Sequence, residues 1–251
     1  KFSLQMAFRY TKNLSKFTKN LIKKILNYLG WKLIKSSNKP KLIKEEIHLE
    51  YIKSIMDCTG VLHIGAHRGS ESHIYYWFGK DVIWVEANPE IFEELKLNIH
   101  PYANQKAFNY LITNKDNELV NFNISNNDGA SSSIFSFGEA HKNFNGRDFK
   151  MIEKIKLKTL KLDSLFHKHE LDEKKYNFWV IDVQGAELLV LNGSTNLIDN
   201  CKYLYIEISK DEFYKDAVKF DELDNWLKKN NFEKIWDPKK NHTNILYKKN
   251  N

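Results

Sequence analysis

The stretch VLHIGAHRGSE, Val61 to Glu71, decides how this chain folds. Val61 to Ile64 reads as a buried strand, and it runs straight into a loop punctuated by glycine. Loops of that kind, at the carboxyl end of a strand, close over nucleotide-like ligands in open α/β sheets. Gly65 permits a tight turn, and Gly69 lets the next element start close to the sheet. The following strand-like run, 82–86, ends in Glu86, 21 positions after Gly65. A carboxylate at that distance can accept both ribose hydroxyls of an adenosine group.

Outward from this loop, strands and helices alternate. Strand-like runs recur at 106–111, 178–182, 203–208, 232–236 and 244–247, with helical patterns at 89–99, 186–192 and 220–230. In the first helix Asn88 is the N-cap, Pro89 takes the first helical position, and Ile91, Leu95 and Ile99 share a face. Gly193 is placed to end the second. The alternation predicts a mostly parallel sheet with helices on both faces. The segment 118–163 breaks it. ELVNFNIS and EKIKLKTLKL read as strands, and the polar run between them is too long for an ordinary connection. It is either a substrate-binding lid or mobile.

Charge divides the chain of 251 residues. Residues 1–44 carry 12 of the 39 lysines and arginines and no acidic residue, although the net charge of the whole is only +7. The main domain, 45–251, therefore holds 27 basic and 32 acidic side chains, a net of −5, and no nucleic-acid partner is expected for it. In the leader, Phe8, Leu14, Phe17, Leu21, Ile25 and Tyr28 recur at helical spacing opposite Lys12, Lys16, Lys19 and Lys23. An amphipathic helix over 8–29 suits an anionic membrane surface, or packs on the domain or a partner subunit. Residues 1–5 precede Met6 and read as a remnant of expression. Cys58 and Cys201 imply no disulfide framework, and no apolar run reaches membrane-spanning length. The expected location is cytoplasmic, peripheral at the inner face of a membrane if the leader binds lipid.

The spacing of the loop separates two cofactor classes. A dinucleotide fingerprint, GxGxxG, needs glycine at 65, 67 and 70, where the residues are Gly65, His67 and Ser70. Its middle glycine exists so that the backbone can approach a pyrophosphate. The GxGxG loop of methyltransferases needs glycine at 65, 67 and 69, and Gly65 and Gly69 match. S-adenosylmethionine carries an adenosine for Glu86 and has no phosphate. A second constellation, FWVIDVQGAELLVLNG from Phe178 to Gly193, is a buried strand ending in Asp182, a Gln184-Gly185 turn and a short helix with Glu187. With HIGAHRGS, VEANPEIFEEL, the NDGASSS loop, LKLDSLF and YIEIS in order, it resembles the FkbM family of S-adenosylmethionine-dependent methyltransferases. The resemblance runs from about Val61 to Tyr247. It implies a Rossmann-like class I methyltransferase fold, a seven-stranded mostly parallel sheet with its last strand antiparallel. It also implies O-methylation, often of sugar or polyketide hydroxyls. The family usually has Asp where His63 stands and Asn where His67 stands.

On that footing Gly65, His67, Gly69, Ser70, Glu86, Ala87 and Asp182 are the expected cofactor contacts. A sugar hydroxyl is a weak nucleophile until its proton is drawn off, so a carboxylate or imidazole near it is useful. Asp182 is the first candidate, as base or as an acid that orients the cofactor. Glu187 follows, and His67 lies in the cofactor loop itself. Asp182 and Glu187 can equally do no more than cap and brace the turn. Ser132, His141 and Glu207 are the acceptor-side candidates, and His63 reads as a hydrogen-bonded core residue. Asp182 and Glu207 are two candidate metal ligands without a third, so no metal is expected. The expected acceptor is a glycan or another small polar metabolite. The alternatives are a methyltransferase acting on protein or nucleic acid, and a catalytically silent cofactor-binding subunit.

Overall fold

Every residue of β1, Gly60–Ile64, is buried, because the strand lies inside a seven-stranded sheet with helices on both faces. The computed structural model describes residues 49–142 and 148–250. The leader segment 8–29 lies outside the described residues. In chain order the elements are α1 (Leu49–Asp57), β1, α2 (Ser72–Trp77), β2 (Asp81–Glu86), α3 (Pro89–Ile99), β3 (Gln105–Asn109), β4 (Leu111–Ile112), β5 (Leu119–Ser125) and α4 (Glu139–Lys142). Then follow β6 (Met151–Leu160), α5 (Leu162–Lys168), β7 (Phe178–Ile181), α6 (Glu187–Asn192), β8 (Tyr203–Ser209), α7 (Phe220–Lys229), β9 (Phe232–Lys234) and β10 (His242–Lys249).

The large sheet has the order β3-β2-β1-β7-β8-β10-β9. Its first five strands pair in parallel, and β10 runs antiparallel to both neighbours. This is the class I methyltransferase sheet. The order reverses between β1 and β7, which opens a crevice above the carboxyl ends of those two strands. Alternate residues feed two cores. Leu62, Ile64, Ile83, Val85 and Ile181 join Leu191, Leu223 and Leu227 on one face. Val61, Val82, Trp84, Phe178 and Val180 join Leu95 and Ile99 of α3 on the other. The N-terminus of α3 is set by Asn88, whose side-chain oxygen accepts the Glu90 amide, with Pro89 next.

The run expected as one strand over 106–111 divides. β3 pairs with β2 only as far as Asn109 opposite Glu86, where β2 ends. Past that point the large sheet offers no partner, and Leu111 and Ile112 pair instead with Thr159 and Leu160 of β6. β5 and β6, from the segment that breaks the alternation, join β4 in a second, three-stranded sheet. The loop leaving β5 crosses back over the large sheet, bridging Asn123 to Ser133 and Phe137 to Tyr214.

Candidate active site

The turn after β1 is shaped by the end of β7. Gly65 has φ +80°, and a methyl group placed on it would stand 1.7 Å from the Asp182 carbonyl oxygen. The Asp182 amide donates to the Ile64 carbonyl at 3.0 Å. Glycine alone meets both the left-handed backbone and this approach. His67 also lies in the left-handed region, at φ +47°, a conformation that costs a side-chain-bearing residue about 1–3 kcal/mol unless its surroundings hold it. Two bonds do so here. Its amide donates to Glu86 Oε2 at 2.7 Å, and its ring Nε2 lies 2.9 Å from the Asp128 carbonyl oxygen. Nε2 therefore carries the proton when it bonds that oxygen.

Glu86 is buried at the end of β2. Its Oε1 accepts the Asn88 amide at 2.7 Å, so both oxygens are oriented by backbone. Burial raises its pKa, and the Asn88 and His67 amides oppose the rise. Each oxygen keeps further acceptor capacity for ligand hydroxyls.

A cavity of about 260 Å³ covers these strand ends. Gly65, Ala66, His67, Ser70, Glu86 and Ala87 form one side, Asp182 and Gln184 another, and Gly129, Ala130, Ser132 and Ile134 of the crossing loop the roof. Among the described residues, three carboxylates line it, Glu71, Glu86 and Asp182, and no lysine or arginine does.

The wall at Asp182 is an organised cluster of acids. Gln184 holds φ +57° and Gly185 φ +101°. The Gln184 side-chain amide donates to Asp182 Oδ1 at 2.5 Å and to Glu207 Oε2 at 2.9 Å. Tyr214 donates its hydroxyl to Gln184 Oε1 at 2.5 Å, and Ser133 donates to the Gln184 carbonyl at 2.7 Å. Glu187 Oε1 accepts the Val183 and Gly185 amides, each at 3.1 Å. On the far side, His242 Nε2 lies 3.1 Å from Glu207 Oε1, and its Nδ1 lies 2.7 Å from the Ser209 hydroxyl. Burial pushes Asp182 well above the usual carboxylate range, and the charge of Glu207 adds to it. Burial lifts Glu187 to about 7. Burial, then the charge of Glu187, lifts Glu207 to about 8. His242 is lowered by burial, against the pull of Asp182 and Glu187.

Of the expected cofactor contacts, Gly65, His67, Ser70, Glu86, Ala87 and Asp182 line the cavity. Gly69 does not. It packs behind the loop, where a methyl group would come within 2.6 Å of Leu95 Cδ1. Among the acceptor-side candidates Ser132 lines the roof, with its hydroxyl accepting the Ser125 amide. Glu187 and Glu207 stand behind the Gln184 turn rather than on the cavity surface. His141 is placed elsewhere than expected. Its ring stacks on Phe137 at 3.7 Å, enclosed by Phe149, Phe213 and Tyr214, buried and outside the cavity lining. Its Nδ1 has no hydrogen-bond partner, and burial lowers its pKa. His63 stacks on Trp84 at 4.8 Å with Nδ1 3.4 Å from the Tyr75 hydroxyl, and it also borders the cavity. Tyr214 and His242 had no local signal. Each reaches the cluster only through tertiary pairing, His242 by standing opposite Ser209 in the antiparallel ladder.

These residues fit an adenosine ligand that carries a positive charge. Glu86 has acceptor capacity for ribose hydroxyls, the acids suit a positive charge, and among the described residues no lysine or arginine lines the cavity. No curated protein matches the chain. Among solved structures, a magnesium protoporphyrin IX methyltransferase from Synechocystis PCC 6803 with bound SAH is 10% identical, covering 92% of this chain and 99% of that one, at a TM-score of 0.41. An rRNA methylase from Streptococcus thermophilus is 10% identical, covering 83% and 98%, at 0.43. A family model described as the methyltransferase FkbM domain matches residues 63–234. Since that match takes in both the Glu86 loop and the Asp182–Gln184 turn, and most of the chain, the chain belongs to the FkbM methyltransferase family and uses S-adenosylmethionine as its cofactor.

Proposed function

We propose that this enzyme transfers the methyl group to a hydroxyl, the acceptor being a glycan or another small polar metabolite. The observation that carries the reading is Asp182, a half-buried carboxylate on the wall of the cofactor cavity, backed by Glu207 through one shared amide. A hydroxyl acceptor must lose a proton as its oxygen bonds to carbon, and a carboxyl pair titrating above the usual range is matched to that task near neutral pH. S-adenosylmethionine supplies a methyl group already activated on a sulfonium. The protein holds the two reactants in line and excludes water. Glu86 fixes the ribose, Asp182 takes the proton, and Gln184 positions Asp182. Glu187 acts through the backbone, bracing the turn by its two amide bonds. His67 closes the roof onto the loop through Asp128. Ser132 borders the space left for an acceptor.

The net of −5 over residues 45–251 disfavours a polyanionic acceptor. The test is transfer of radiolabelled methyl to fractions of the source cell. Label is expected in the glycan or small-metabolite fraction as a base-stable ether. Label confined to protein or nucleic acid would overturn the hydroxyl reading while leaving methyl transfer intact.

A further inference from the structure

Four observations converge on one part of the cavity. Three carboxylates, Asp182, Glu187 and Glu207, are gathered behind and around one turn. No lysine or arginine pairs with any of them among the described residues. Asp182 and Glu207 accept from the same side-chain amide, so Gln184 holds the two acids side by side. Finally, Glu207 leads outward to His242, the one member with a second ring nitrogen bonded toward Ser209.

Acids buried without a countercharge stay protonated, because desolvation penalises the charged form. A permanent cation arriving beside them reverses the balance. We propose that the Asp182–Glu207 pair is a proton switch set by the charge of the bound cofactor: it gives up a proton when the sulfonium form binds, and regains one from the acceptor during methyl transfer.

The charges balance at each stage. With the cavity empty, the pair holds a proton. Entry of a single positive charge is matched by loss of that proton to solvent, relayed from Glu207 Oε1 to His242 Nε2 and from Nδ1 to Ser209. Asp182 is then an ionised base. In the transfer the acceptor oxygen forms its bond to the methyl carbon, the carbon–sulfur bond breaks with its electron pair left on sulfur, and the hydroxyl proton goes to Asp182. The positive charge on sulfur disappears as the pair regains its one proton. The base is armed by the substrate form of the cofactor and disarmed by the product form. His242 acts through Glu207 and is a positioning and relay residue. The groups that set the switch are Asp182, Glu187, Glu207, Gln184, Tyr214 and His242 around the turn, with Glu71 across the cavity and His141 beyond Tyr214.

The last stage rests on the hydroxyl reading; the first needs only the cofactor, and it is what the experiment reads. Calorimetric titration of the whole chain with S-adenosylmethionine and, separately, S-adenosylhomocysteine, at pH 7 in HEPES and in Tris, reports protons exchanged on binding. The two ligands share the amino, carboxylate and ribose groups, so their difference isolates the sulfonium. Release of about one more proton is expected for S-adenosylmethionine than for S-adenosylhomocysteine. Its affinity should then tighten by up to about tenfold per pH unit between 6 and 8, with the product form nearly flat. E207Q should remove most of that difference, and H242Q should keep the release at equilibrium while slowing it in a stopped-flow dye measurement. Equal proton exchange for the two ligands would overturn the switch, whether or not the variants fold. So would an undiminished difference in a folded E207Q. Label transferred to an amine instead of a hydroxyl would overturn the acceptor reading and leave the binding result standing.

Discussion

Glu86 shows how one carboxylate is made ready by its backbone. Its two oxygens are fixed by the amides of His67 and Asn88, so the loop after β1 and the start of α3 are both tied to the group proposed to meet the ribose. Removing it takes away hydrogen bonds to a charged acceptor, worth about 1.5–3 kcal/mol together with the ligand hydroxyls. E86A is therefore expected to weaken S-adenosylhomocysteine binding by about 10- to 150-fold in calorimetry, with circular dichroism reporting whether the fold is kept. Binding at the native affinity would remove Glu86 from the ribose. NAD should bind neither form, since no lysine or arginine lines the cavity among the described residues. This residue was legible in the sequence because a strand-end acid at a set distance from a glycine turn is a local pattern. His67 was legible only in position. That its ring turns to Asp128 depends on a loop 61 residues further on, and nothing near His67 encodes it.

Among the elements, the segment between β4 and α5 shapes the site most. It adds the small sheet β4-β6-β5 and sends a loop over the cavity, which becomes its roof. That loop is fastened at two sides. Asp128 is held by His67 and, at 3.7 Å, by Arg68, while Ser133 and Tyr214 hold the Gln184 turn. Tyr214 is buried, and its hydroxyl also lies 3.3 Å from the Ser131 carbonyl oxygen, so one phenol joins roof to wall. Y214F leaves Gln184 Oε1 buried without its donor, a loss of about 1–3 kcal/mol in urea unfolding. Freed from that bond, Gln184 should hold Asp182 and Glu207 less firmly, so the proton exchange on cofactor binding should also fall. An unchanged unfolding midpoint would mean the Tyr214–Gln184 bond contributes nothing net. The strands and helices of the large sheet follow from period and caps, as at Asn88-Pro89 or Phe178 to Ile181. The segment over the site does not, because the bonds that seat it on the site, Asp128 with His67 and Ser133 with Gln184, cross the fold rather than run along the chain. The expected strand over 106–111 failed at Asn109 for the same reason: where a strand stops depends on where its neighbour stops.

For the whole molecule, the buried acids and the buried histidines set opposite limits on the pH range of stability. Glu86, Asp182, Glu187 and Glu207 all titrate higher in the folded chain than their ordinary values, with burial the leading cause. Groups of that kind favour the fold fully below the unfolded carboxylate range, and their contribution is lost as pH rises through the folded values, about 7 for Glu187 and about 8 for Glu207. His63, His141 and His242 are lowered, again chiefly by burial. Their contribution is present above the ordinary histidine value and is lost as pH falls through the lowered ones. The two trends oppose each other between the unfolded carboxylate range and the ordinary histidine value, and above that value only the acid loss remains. The thermal midpoint of the cofactor-free protein should therefore fall between about pH 6.5 and 8.5. The alkaline fall has an identifiable source, since ionising a second carboxylate around Gln184 places like charges together in a site with no cation but His242 among the described residues. E207Q should flatten that fall, whereas the native chain with S-adenosylmethionine bound should resist it, because the sulfonium charge compensates the ionised acid. Differential scanning calorimetry across pH 5.5–9 separates these outcomes. A midpoint that rises from pH 6 to 8.5 in the free protein would show that the acid cluster is already ionised at neutral pH, and that charge pairing rather than burial governs the site.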